Sequence, residues 1–205
     1  MKFIEKYQKI FALCGMIGPF FYAMIWILGG ILQPGYNHIT DDVSTLLAVG
    51  APNKLLFDLM EATYGILMII FFASLHWTIN KGKGSILGPG AFLVNFVLHV
   101  VAVFFPLDAG GEITTLRGKM HLVLVVTSGL LTIAGMVALW FRLEFVEGWS
   151  TFATYSLISA IASFILIIIS AIFIKSRYRG VLERFGVSPF QIYYFIISLM
   201  VFLSN

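Results

Sequence analysis

Two features of the chain point to an all-α polytopic membrane protein, a six-helix up-and-down bundle. Apolar residues make up 60% of the 205 and charged residues only 11%, against roughly 45–50% and about 25% in soluble globular domains. A water-soluble fold would have too few charges to cover its surface. A bilayer removes that demand, because acyl chains accept apolar side chains directly. The apolar residues also fall into long runs. A spanning helix needs about 20 of them to cross a hydrocarbon core roughly 30 Å thick, and inside lipid the backbone amides must be paired within the segment. The length suits one domain, 1–205.

The first span is read at 10–32. Lys2, Lys6 and Lys9 precede it as in a signal peptide, but the run is longer than a signal's apolar core and lacks a convincing small-x-small site, so it reads as an uncleaved helix. The second, 55–78, lies between Gln33-Pro34-Gly35 and Lys81-Gly82-Lys83-Gly84. The third, 85–105, stops at Pro106, with Gly110-Gly111 beyond it. The fourth and fifth are 118–141 and 151–174. The sixth, 188–203, is the shortest and is set off by the breakers from Gly186 to Pro189; a start near Val181 is the alternative. The short loop from Pro106 to Arg117 makes the third and fourth spans antiparallel neighbours. No internal repeat is visible.

An even number of spans puts both termini on one face, side A, with the loops 79–84 and 142–150. Side B carries the loops 33–54, 106–117 and 175–187. Basic residues divide six to side A and seven to side B. The first helix usually sets orientation, so its three lysines place side A, and both termini, in the cytoplasm, against the pull of Lys175, Arg177 and Arg179. Acidic residues break the tie: three lie on side A, and seven, Asp41, Asp42, Asp58, Glu61, Asp108, Glu112 and Glu183, lie on side B. The 22-residue loop 33–54 is longer than a connector needs. A site is therefore expected on side B. The net charge of +3, with no basic run, excludes a nucleic-acid partner. Cys14, the only cysteine, excludes an internal disulfide and a cysteine-based metal site.

Helical spacing groups the polar residues into stripes. Asn95 and His99 share a face, as do His121, Ser128, Thr132 and Gly135, then Ser156, Ser159, Ser163 and Ser170, and finally Asp58, Glu61 and Gly65. Small and hydroxyl residues in such stripes serve close helix packing, which is the reading for the serines. Ionisable groups within the membrane are rarer and are candidates for function. Glu61, His99 and His121 lie at similar depth below side B, roofed by Asp108 and the first loop. That set suits zinc, with His99, His121, Asp108 and Glu61 as ligands, or acid–base chemistry. No HxxxH or HExxH pair supports it. Haem held axially by His99 and His121 is a further option, although His38 and His76 sit at opposite ends and make no second pair. His76 reads as an interfacial residue on side A.

Three local patterns carry a family resemblance: Val43-Ser44-Thr45-Leu46 followed by Gly50; Phe105-Pro106-Leu107-Asp108 with Thr115, Gly118 and His121; and Gly180-Val181-Leu182-Glu183-Arg184. With six spans in a chain of this length, they resemble the prokaryotic membrane family called domain of unknown function 998. In that family the last pattern reads Gly-Leu-x-Gln-Arg; here Glu183 puts a carboxylate in place of the amide. The resemblance implies a prokaryotic plasma-membrane protein, brings no reaction, and gives priority to Ser44, Asp108, His121 and Arg184. The Ser, Asp and His types are also loosely similar to membrane hydrolases related to alkaline ceramidases, whose zinc-binding HxxxH pair this chain lacks.

Two functions follow as expectations. One is a lipid-directed, metal-assisted hydrolase, with His121, Asp108 and Ser44 catalytic and His38, Asp41 and Asp42 as further candidates. Arg177, Arg179 and Arg184 would hold a lipid phosphate through their planar forks, or would form an interfacial belt against headgroups. The other is a non-enzymatic lipid-binding, transport or accessory protein. Its partners would be membrane lipids, a second copy or a larger membrane complex.

Overall fold

The computed structural model describes residues 2–204. Six α-helices follow one another: α1 (Lys2–Leu32), α2 (Lys54–Thr78), α3 (Leu87–Ala102), α4 (Leu116–Leu143), α5 (Ser150–Ile172) and α6 (Arg179–Leu203). Short 3-10 turns occupy Val43–Leu47, Asn80–Gly82 and Ala109–Gly111. No strand occurs among the described residues. Each helix packs on its neighbours in the chain, and α6 returns to α1, so the six close into a ring. Five helices are long and apolar enough to cross a membrane; α3, with 16 residues, is shorter. At 1.5 Å per residue it extends about 24 Å. Its last turn tightens into i→i−3 bonds at Val103, Phe104 and Phe105, because Pro106 forbids a continued helix. The outer faces suit lipid. On α5, Ile158, Ile161, Phe164 and Ile165 are all at least half exposed, a patch that would drive aggregation in water.

Helix ends are satisfied by distant side chains. Asn53 donates its amide to Leu32 O at the end of α1 (2.9 Å). Arg142 donates to His76 O (2.9 Å) and Ile79 O (3.0 Å) at the end of α2, where its positive charge also suits the helix dipole. That contact, with Arg142 3.1 Å from His76 Nδ1, fixes His76 at the side-A end. The sixth helix departs from the sequence reading. It starts at Arg179, close to the alternative start near Val181 and not at Ser188, and runs through Gly186 and Pro189. The reason lies outside the segment: the amides of Gly180 and Val181, orphans at a helix start, both donate to Ile39 O (3.1 and 3.4 Å).

Two apolar clusters divide the bundle. The larger fills the side-A half. There Phe72 stacks on Phe92 and Phe96 (centroids 4.8 and 5.3 Å apart), and Tyr193 and Tyr194 close the layer. Their hydroxyls are partnered: Tyr194 meets Thr132 (2.7 Å) and Asn95 (3.3 Å), and Tyr193 meets Ser156 (2.9 Å). The serine stripe of α5 thus faces α6, and Ser170 donates to Leu182 O (2.9 Å). Without a water-driven hydrophobic effect, such packing and cross-helix bonds hold membrane helices together. The smaller cluster, Ile25, Val43, Leu46, Leu47, Phe57 and Met60, sits on side B and anchors the first loop.

Candidate functional site

The first loop is clasped to the start of α6. Glu183 accepts from the Val43 amide and from Ser44 Oγ (3.1 Å). Arg184 donates to His38 O (2.9 Å), Asp41 O (3.2 Å) and the Tyr36 hydroxyl, and its guanidinium lies 3.3 Å from His38 Nδ1. Arg179 donates to Thr40 O (2.8 Å) and lies 3.7 Å from Asp42. Gly180 permits the approach, since a Cβ there would strike the backbone of Asp41. Burial pushes the His38 imidazole below its usual pKa, and Arg184 pushes the same way. Burial raises the Asp42 carboxyl, with Arg179 opposing. Arg179 and Arg184, expected to hold a phosphate, therefore spend donors on the loop. Arg177 is exposed and donates to the neighbouring Tyr178 hydroxyl (2.5 Å). Asp41 and Arg179 line a separate open depression on the outer side of the loop, with a volume of about 450 Å³.

Asp108 organises the loop before α4. It accepts from the Thr115 hydroxyl (2.6 Å) and amide (2.7 Å) and from the Thr114 amide (2.8 Å) and hydroxyl (3.1 Å), with Arg117 at 3.5 Å. The Thr115 hydroxyl and amide, then the Thr114 pair, hold its carboxyl well below the usual carboxylate range. Thr115 in turn caps α4 by accepting from the Gly118 amide (3.3 Å). A side chain at Gly118 would meet the Asp108 carboxylate. The Val49 amide donates to Leu107 O (3.0 Å), joining this loop to the first. The second sequence pattern is thereby explained up to His121, whose Nδ1 donates to Phe105 O (2.9 Å).

Beneath the two loops lies a cavity of about 330 Å³. Ser44 and Val43 roof it, and all six helices contribute to its wall. Most of the wall is apolar. Its polar end gathers Ser44, Asp58, Glu61, His99, His121 and Glu183. His99 Nε2 lies 3.1 Å from Glu61 Oε1, but out of line for a hydrogen bond. The edge of the Tyr64 ring meets His99, with centroids 5.1 Å apart, and the Tyr64 hydroxyl donates to Gln191 (2.9 Å). Eight buried side-chain polar atoms lack a hydrogen-bond partner among the described residues. Four of them, Asp58 Oδ1, Glu61 Oε2, His99 Nε2 and His121 Nε2, belong to this wall. Buried polar atoms are normally paired, and this wall holds half of the exceptions among the described residues.

Of the residues expected from sequence, the structure brings together Ser44, Glu61, His99 and His121. Asp108, Arg177, Arg179, Arg184, His38, Asp41 and Asp42 do not line the cavity. Asp108, expected among the metal ligands, turns its oxygens to Thr114 and Thr115, and among the described residues no three His, Cys, Asp or Glu converge. Sequence reasoning missed Glu183, Tyr64 and Gln191 as wall residues. Tyr64 was findable three residues after Glu61, on the same helix face. Glu183 was visible only as a pattern residue.

Neither a curated protein nor a solved structure matches the chain. A family model does match, over residues 16–200. That span includes all three sequence patterns, the clasp and the whole cavity wall. The chain belongs to the family described as "Protein of unknown function (DUF998)".

Proposed function

We propose that this integral membrane protein binds an amphiphile from the bilayer in the cavity beneath its first loop. On this reading all six helices cross a prokaryotic plasma membrane, with both termini cytoplasmic and the cavity toward the outer face. The observation that carries it is a mostly apolar chamber with unpaired polar atoms at one end. Ligand pockets have this composition, at volumes of roughly 300–1,000 Å³. An apolar chain suits the valine-lined wall of α4, and a polar head suits the end under Ser44.

The test is saturable binding of an environment-sensitive, single-chain fluorescent amphiphile to the protein in lipid nanodiscs. Val125 lines the cavity yet is 49% exposed, so Val125→Trp obstructs the chamber while sparing the core. It should abolish saturable binding; equal binding by the variant would refute the proposal. Orientation is read separately in a Cys14→Ser background. Asn53→Cys should react with an impermeant thiol reagent outside intact cells and Gly82→Cys should not.

A second reading is lipid-directed hydrolysis. Ser44 Oγ, in the cavity roof, lies 3.1 Å from Glu183 Oε1, within reach of a carboxylate base. Here Glu183, not His121, would activate the serine. Release of fatty acid or headgroup from mixed lipids by the purified protein, lost in Ser44→Ala, supports it. Product formation by Ser44→Ala at the wild-type rate contradicts it.

A further inference from the structure

We infer that the head of the bound amphiphile is an ammonium, a cation that donates hydrogen bonds; this deepens the amphiphile-binding reading above and rests on it. The argument begins with donors and acceptors. His121 gives its Nδ1 proton to Phe105 O, so the neutral ring presents Nε2 as an acceptor. That atom, Asp58 Oδ1 and Glu61 Oε2 are buried without partners, on side chains in the wall of one cavity. All three accept. A head rich in donors replaces the hydration they lose; a head rich in acceptors does not.

Charge then narrows the class. The wall holds three carboxylates, Asp58, Glu61 and Glu183, and neither lysine nor arginine. Asp58 is offset on its other oxygen by Lys54 (2.5 Å). Glu183 is held by neutral donors, the Val43 amide and the Ser44 hydroxyl. Glu61 has only the misaligned His99 beside it. A phosphate or carboxylate head adds negative charge beside these groups in a poorly screened site. A sugar head supplies donors and leaves Glu61 uncompensated. An ammonium supplies both, with Glu61 as its counter-ion.

Three probes with the same tail separate these classes: dodecylamine, dodecyl glucoside and dodecyl phosphate, titrated against the protein in nanodiscs of neutral lipid, with Val125→Trp nanodiscs as the blank. Dodecylamine should bind at least about tenfold more tightly than the glucoside, and the phosphate more weakly than either. Glu61→Gln keeps the side chain's shape and removes its charge. It should cut amine affinity about tenfold and glucoside affinity by a clearly smaller factor, and a Tm no lower than that of the wild type shows that the variant is folded. Tightest binding by the phosphate, equal affinity of amine and glucoside, or amine affinity unmoved by Glu61→Gln would overturn the inference while the cavity reading stands. Failure of all three probes to exceed the blank would overturn both.

Discussion

The two halves of this bundle solve opposite problems with the same six helices. The side-A half is filled: Phe71, Phe72, Phe92 and Tyr193 are almost wholly buried, Phe96 and Tyr194 close it off from the cavity whose wall they join, and both tyrosine hydroxyls find partners on facing helices. The side-B half is hollow: four polar atoms without partners surround one cavity, and a loop clasped by Glu183 and Arg184 roofs it. Stability is concentrated where the rings meet. Unsatisfied groups are concentrated where the helices are held apart. Such groups weaken a fold, and their gathering at one end is the cost that the proposed binding site would carry.

Substitutions matched across the two halves should separate these roles. Phe72→Ala opens the aromatic layer and should destabilise by about 3–5 kcal/mol, seen as a large drop in Tm in a fixed detergent. Glu61→Gln, in the hollow half, should leave Tm at or above the wild-type value, since it removes a poorly compensated charge. A Tm fall of similar size in both variants would erase the distinction. Next in size is the clasp. Arg184→Ala loses several charge-assisted bonds to the first loop and should cost about 2–3 kcal/mol, with faster amide exchange at residues 38–44 and none at the side-A end. Retained protection at 38–44 would show that the apolar anchor of Val43, Leu46 and Leu47 suffices.

Asp108 supplies a pH-dependent contrast. Its folded pKa is depressed by Thr115 and Thr114, so its stabilising contribution is fully present above the unfolded carboxylate value, about 3.9. It is lost as pH falls from there through the folded value. Protection in the loop 106–115, taken as exchange relative to the unstructured chain at the same pH, should stay constant from neutral pH to about 4 and fall only below that. Asp108→Asn, with one acceptor oxygen in place of two, should show low protection at every pH. The smallest effect is expected at Ser163, which is fully buried with an unpartnered hydroxyl. Ser163→Ala should change stability by no more than about 1 kcal/mol, in the stabilising direction.

The apolar runs made the helices legible, because lipid imposes a length and a composition on each span. They misplaced the start of α6, since Gly186 and Pro189 are local breakers while the bonds that extend the helix back to Arg179 come from Ile39. Of the stripes read on α3 and α4, Asn95, His99, His121, Ser128 and Thr132 line the cavity, while Gly135 packs against the Phe92 ring. The sequence patterns were harder to interpret. Ser44 and Arg184 suggested catalysis and phosphate binding. Their partners, Glu183 and His38, are 139 and 146 residues away, beyond any rule of local spacing. Asp108 shows the same limit at short range: an acid near two histidines in sequence turns its oxygens to its own loop instead.

The most direct test of the central claim is to locate the ligand. An alkyl amphiphile carrying a photoreactive group in its chain is crosslinked to the protein in nanodiscs, and the modified residues are mapped by mass spectrometry. Binding in the cavity predicts adducts on Val125, Thr132 and Phe190, suppressed by Val125→Trp and by excess unlabelled amphiphile. Adducts confined to lipid-facing residues such as Ile161 and Phe164, and unaffected by either, would contradict the account.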